Sequence, residues 1–80
     1  MWFVYILLCK DMSLYAGIST DPDRRLQEHL QGRGGNYTRS HRPVKRVYLE
    51  EVATRSLALK REHEIKSWSR QKKLLFSSDK

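Results

Sequence analysis

The stretch Trp2-Phe3-Val4-Tyr5-Ile6-Leu7-Leu8-Cys9, a polar break, and Leu14-Tyr15-Ala16-Gly17-Ile18 decides the fold, because it reads as two strands joined by a tight turn. β-Branched, aromatic and aliphatic residues suit a pleated surface. The first run is apolar on both alternating faces, which predicts a central strand covered on both sides. Turn length then decides where the tyrosines go. A two-residue loop at Asp11-Met12 would pair Cys9 with Leu14 and send Tyr5 and Tyr15 to opposite faces. A three-residue loop, Lys10-Asp11-Met12, pairs Cys9 with Ser13, Leu7 with Tyr15 and Tyr5 with Gly17, so both phenols share one face about 7 Å apart. That loop wants glycine in its third, left-handed position, and Met12 there costs roughly 1 kcal/mol. We take the three-residue loop at that cost. Gly17 opposite Tyr5 leaves an open floor beside the ring, where another group can approach closely. Alone, such a hairpin is a core tyrosine pair with its hydroxyls reaching solvent.

The segment after the hairpin adds chemistry. Asp21-Pro22 reads as N-cap and first helical position, with Asp23 at the positive end of the helix dipole. The helix is predicted over 22–31, ended by Gly32, with Leu26 and Leu30 as its buried stripe. Arg25 and His29, also four apart, form a second row at the edge of that face, where a cleft can lie. Residues 32–43 form a basic loop whose backbone amides, with Arg33, Arg39 and Arg42, suit phosphate contact. A third strand comes next over 44–51, and Lys45 and Arg46 extend the basic surface.

Thr54 caps a second predicted helix running to about Trp68, with Leu57, Ala58, Leu59, Ile65 and Trp68 as its apolar arc. Glu62 falls inside the arc bounded by Leu59 and Ile65, and Glu64 falls outside it. A carboxylate held against the core needs a cation, and a structural salt bridge would satisfy that need without any function, while adjacent Arg61 can form a surface pair elsewhere. The tail to Phe76 is a short basic helix capped by Ser69, its apolar side closing the core, and residues 77–80 fray.

Sixteen Lys and Arg against nine Asp and Glu give a formal charge of +7. That balance points to a polyanionic partner, nucleic acid before membrane. Eighty residues suit one domain, 1–80, with a small core. Cys9 sits within an apolar strand, a structural thiol that fits a reducing compartment. The eight-residue apolar run is too short for a signal peptide or a membrane span, so the expectation is a soluble cytoplasmic protein. Cys9, His29, His41 and His63 lack paired zinc-ligand spacing, and no dinucleotide or nucleotide-binding glycine pattern occurs, so no small-molecule cofactor is expected.

With Phe3-Val4-Tyr5, Tyr15-Ala16-Gly17, the ten-residue step from Tyr15 to Arg25, the further four to His29, and Glu62, the chain resembles the GIY-YIG nuclease superfamily. The match is to its small stand-alone, UPF0213-like branch and spans nearly the whole chain. Phe3 replaces the usual glycine and Ala16 the usual isoleucine, and neither change removes a reactive group. No counterpart of the late asparagine of the homing enzymes is found. The resemblance implies an α/β chain of the α+β kind, a small three-stranded antiparallel sheet flanked by helices. It also implies a metal-dependent endonuclease that hydrolyses DNA phosphodiester bonds with one Mg²⁺ or Mn²⁺ held by Glu62, leaving 5′-phosphate and 3′-hydroxyl ends.

Phosphodiester hydrolysis needs a base for water, positive charge on the phosphoryl group and help for the leaving oxygen. In the roles the resemblance implies, Arg25 neutralises the phosphate, Tyr5 is the base, His29 takes or shares its proton, and Tyr15 orients water or phosphate and is the alternate base. A free phenol has a pKa of about 10, so Tyr5 needs an activating neighbour. Arg33, Tyr37, Arg39, Arg42 and Lys45 are the expected DNA contacts. The alternative is a DNA-binding module with the same basic cleft and little or no turnover. Oligomeric state is left open.

Overall fold

The computed structural model describes residues 1–33 and 40–76, so Tyr37 and Arg39 lie outside the described residues. Strand β1 (Trp2–Cys9) sits between β2 (Leu14–Ser19) and β3 (Pro43–Val52) in an antiparallel sheet of order β2-β1-β3. Three helices are described: α1 (Pro22–Leu30), α2 (Arg55–Lys66) and α3 (Arg70–Leu75). None of them is long and apolar enough to cross a membrane.

The hairpin has the three-residue turn. Tyr5 pairs with Gly17 and Leu7 with Tyr15, and the Cys9 N–H donates to the Ser13 carbonyl at 2.9 Å. Met12 takes the left-handed conformation, φ 70°. Asp11 secures the turn by accepting from the Ser13 N–H at 3.0 Å and the Ser13 hydroxyl at 2.6 Å. Alternation along β1 then sorts its side chains. Val4 and Ile6 join Ala16, Val47, Ala58 and Ile65 in the core beneath α2, whereas Tyr5 points to the other face and meets α1. A register shift between Ile6 and Leu7 lets Val47 and Tyr48 both reach that core. Cys9 is a free, buried thiol, and burial pushes its pKa up, which keeps it inert.

The helices depart from expectation in which faces they bury. In α1, Asp21 caps the start by accepting from the Arg24 N–H at 3.2 Å, and the chain turns at Gly32, φ 79°. The buried residue, however, is His29, while Leu30 is exposed and Leu26 only half-buried. The reason is the surface beneath: α1 lies on the tyrosine face, where a phenol gives an imidazole a partner that no leucine could use. In α2, capped by Thr54, the line Ala58-Glu62-Ile65 faces the sheet, so Leu57 and Leu59, to either side of it, are exposed. In α3, capped by Ser69, Leu74, Leu75 and Phe76 are exposed, so its apolar side does not close the core. This helix is held instead by Phe76 against Trp68, ring centroids 4.9 Å apart, and by Arg70 donating to the Met12 carbonyl.

Candidate active site

The site forms where the tyrosine face of the hairpin meets α1. Tyr5 is 2% exposed, and its ring covers the backbone of Gly17, the cross-strand partner that has no side chain to obstruct it. Its hydroxyl lies 3.0 Å from Nε2 of His29, which is 1% exposed. Tyr15, two residues before Gly17 and on the same face, packs edge-on against the same imidazole, ring centroids 5.4 Å apart. Tyr5 and His29 meet in the same manner at 5.9 Å. One imidazole is thus shared by two phenols, and Tyr15 is the more exposed of the pair.

Arg25 stands one helical turn before His29, near enough to Tyr5 for its guanidinium to favour the phenolate. Glu28 fixes it from the other side, accepting from Arg25 Nη1 at 3.0 Å and lying 3.6 Å from Arg24 Nε. Sequence reading missed Glu28 as part of the site, although its i+3 and i+4 spacing from the two arginines carried the signal. Beside Arg25 opens a polar cavity of about 190 Å³ lined by Ser19, Thr20, Asp21, Arg24, Arg25 and Glu28. Asp23 accepts from Arg46 at 3.1 Å and ties α1 to β3.

These neighbours set the protonation states. Burial pushes the Tyr5 phenol up to about 12, with the charges of Tyr15 and Glu62 acting in the same direction and Arg25 opposing. Burial holds the His29 imidazole below its ordinary value, the charge of Arg25 adds to this, and Glu28 opposes it. His29 is therefore neutral at pH 7, and a neutral Nε2 facing a protonated phenol accepts its hydrogen bond in one of the two imidazole tautomers.

Glu62 approaches from α2, near enough for its charge to act on Tyr5. Its side chain is 19% exposed and its ion-pair partner is Lys66, 3.5 Å away. Arg61, adjacent to Glu62 in sequence, pairs elsewhere, with Glu50 at 3.0 and 3.1 Å and with Glu64. Among the described residues no group of three or more His, Cys, Asp or Glu side chains could form a metal cage. A single carboxylate does fit a hard ion that keeps most of its waters and takes further oxygens from a phosphate, which is the coordination of Mg²⁺. Of the expected DNA contacts that are described, Arg33, Arg42 and Lys45 are exposed, and Arg33 hydrogen-bonds to Gln31.

The sheet thus carries the two tyrosines, α1 the arginine and the histidine, and α2 the glutamate. The GIY-YIG catalytic domain matches this chain over residues 1–74, and the chain belongs to the GIY-YIG family. It is 55% identical over 71 residues to a UPF0213 protein of Haloquadratum walsbyi, covering 89% of this chain and 80% of that one. It is 51% identical over 77 residues to a UPF0213 protein of Staphylococcus saprophyticus, covering 96% and 94%. The solution structure of a UPF0213 protein from Bacillus halodurans superimposes with a TM-score of 0.57 at 42% identity, covering 94% of this chain and 81% of that one. That of a protein from E. faecalis does so at 0.59 and 42%, covering 89% and 76%. The three-stranded α+β fold expected from the sequence is the fold of these relatives.

Proposed function

We propose that the chain is a metal-dependent endonuclease that hydrolyses DNA phosphodiester bonds. The observation that carries this reading is the 3.0 Å bond between Tyr5 and His29, made inside a site that also holds Arg25. A phenol whose pKa is about 12 is a poor base at neutral pH by itself. A neutral imidazole within hydrogen-bond reach changes this, because the phenol passes its proton to Nε2 as it accepts one from water. The water oxygen then bonds to phosphorus, the bond to the 3′-oxygen breaks, and that oxygen takes up a proton from solvent. Arg25 neutralises the scissile phosphate with its planar fork, and Glu28 keeps that fork oriented. Tyr15, more exposed than Tyr5, positions the water. Glu62 would hold a single Mg²⁺ or Mn²⁺ ion, which supplies Lewis-acid stabilisation of the departing oxygen.

The test is cleavage of single-stranded, duplex, flapped and branched DNA with Mg²⁺ or Mn²⁺. Tyr5→Phe, Arg25→Ala and Glu62→Gln should each lower the rate by about 100-fold or more while DNA binding persists. A larger loss in Tyr15→Phe than in Tyr5→Phe would exchange the roles of the two phenols. One observation favours the second reading, a binding module with little turnover: the buried, high-pKa state of Tyr5 in the free protein. Binding without cleavage on every DNA form with either metal would establish that module and overturn the enzyme.

A further inference from the structure

Acids and cations are mixed at one end of the sheet, where Arg61 pairs with Glu50 and Arg55 lies over Trp2, and cations cluster at the other. At the end where β1 begins, Phe3 and Val4 pair with Glu51 and Glu50 of β3, and Phe3 pairs on its other side with Ser19, just before Asp21. The opposite end is the hairpin turn and the segments fastened to it. There the Lys10 N–H donates to the Arg42 carbonyl at 2.7 Å, Leu8 pairs with Lys45, and Arg70 donates to the Met12 carbonyl. Lys10, Arg42, Lys45 and Arg70 are all exposed. The acid at this end, Asp11, is engaged by Ser13 and by His41, 3.7 Å away. Cations drawn from the turn, the start of β3 and the last helix thus converge on one surface, which favours a polyanion.

We propose that this hairpin-tip surface carries the phosphate backbone of a DNA arm extending away from the scissile phosphate. The inference rests on the nuclease reading and adds the direction in which the substrate lies. Arg25 lies beside Tyr5, whose cross-strand partner Gly17 is five residues along the strand from Met12, about 17 Å at 3.3 Å per residue. That span equals roughly five nucleotides at 3.4 Å of rise per strand, so a strand held at Arg25 reaches the tip in about five steps. Lysine and arginine contacts to phosphate fix register and orientation without reading bases. The tip therefore selects for an arm on that side and not for sequence.

The experiment is a titration of labelled duplex DNA by fluorescence anisotropy across a salt series, with no metal added. Wild type is compared with Lys10→Gln, with Lys10→Gln/Arg70→Gln, and with Arg55→Gln/Lys60→Gln, which removes the same charge from α2. Only the backbone of Lys10 bonds to Arg42, so its substitution keeps the turn and tests the surface even if Arg70→Gln loosens α3. Each lost phosphate contact should flatten the slope of log K against log salt by about 0.9, so the double tip variant loses about 1.8 and the α2 control loses little. Equal flattening in tip and control variants, or none in the tip variants, overturns the inference and leaves the nuclease reading in place. Wild-type binding that is absent or insensitive to salt overturns both.

Discussion

The Tyr5 phenol occupies the space that Gly17 leaves: a Cβ on residue 17 would stand 2.5 Å from the hydroxyl oxygen and 2.6 Å from Cζ. Gly17→Ala should therefore push Tyr5 off His29 and lower cleavage at least 10-fold. The overpacking should cost about 1–3 kcal/mol of stability. Alanine in a strand is ordinarily preferred to glycine, so a lowered melting temperature measures the clash. A variant as stable and active as wild type would show that the ring is free to move.

The depressed pKa of His29 fixes the sign of two pH effects. As pH falls through about 6.5, unfolded chains take up the imidazole proton while the folded state, with its lower pKa, does not. The stability that neutral His29 contributes is thus present above 6.5 and lost as pH falls below it, and His29→Gln should flatten this part of a melting-temperature profile. Cleavage should persist below 6.5, since the proton acceptor stays neutral there, and its acid limb should lie lower than that of an ordinary histidine. A limb at or above 6.5 would remove His29 from the proton path.

Met12 holds φ at 70° in a turn that glycine would enter without strain. Met12→Gly should stabilise the protein by up to about 1 kcal/mol in chemical denaturation, less the entropy that glycine adds to the unfolded chain. Cleavage should be unchanged.

Ile65 and Leu75 are both aliphatic residues of the C-terminal helices, and the structure separates them. Ile65 is fully buried in the core, and Ile65→Ala should cost about 2–5 kcal/mol. Leu75 is among the most exposed residues of the chain, and Leu75→Ala should change stability by no more than about 0.5 kcal/mol. Equilibrium denaturation of both variants checks the contrast.

Features with a local cause were legible in the sequence. The caps at Asp21, Thr54 and Ser69 and the left-handed Met12 come from residues a few positions apart. The shared face of Tyr5 and Tyr15 comes from strand alternation once the turn length is chosen. The features hidden from the sequence depend on which surface each helix finds. Hydrophobicity placed Leu26 and Leu30 inward and His29 at the edge, because a leucine stripe is the usual core face. Only the phenol beneath α1 makes the histidine the better buried residue. Likewise the Arg61–Glu50 pairing joins α2 to β3 across the fold, so helical spacing leaves Arg61 a pair elsewhere without naming its partner.

The turn Lys10-Asp11-Met12 lies on the surface, where insertions and deletions are ordinarily absorbed without harm. Here its length sets the phase of one half of the site against the other. Loss of one residue would rotate the second tyrosine toward the core and leave a stable sheet with no use for its histidine. Among natural variants of this domain, an altered turn length would thus dismantle the Tyr5–His29–Tyr15 cluster as surely as a mutated side chain, even where every residue of it is still spelled out in the chain.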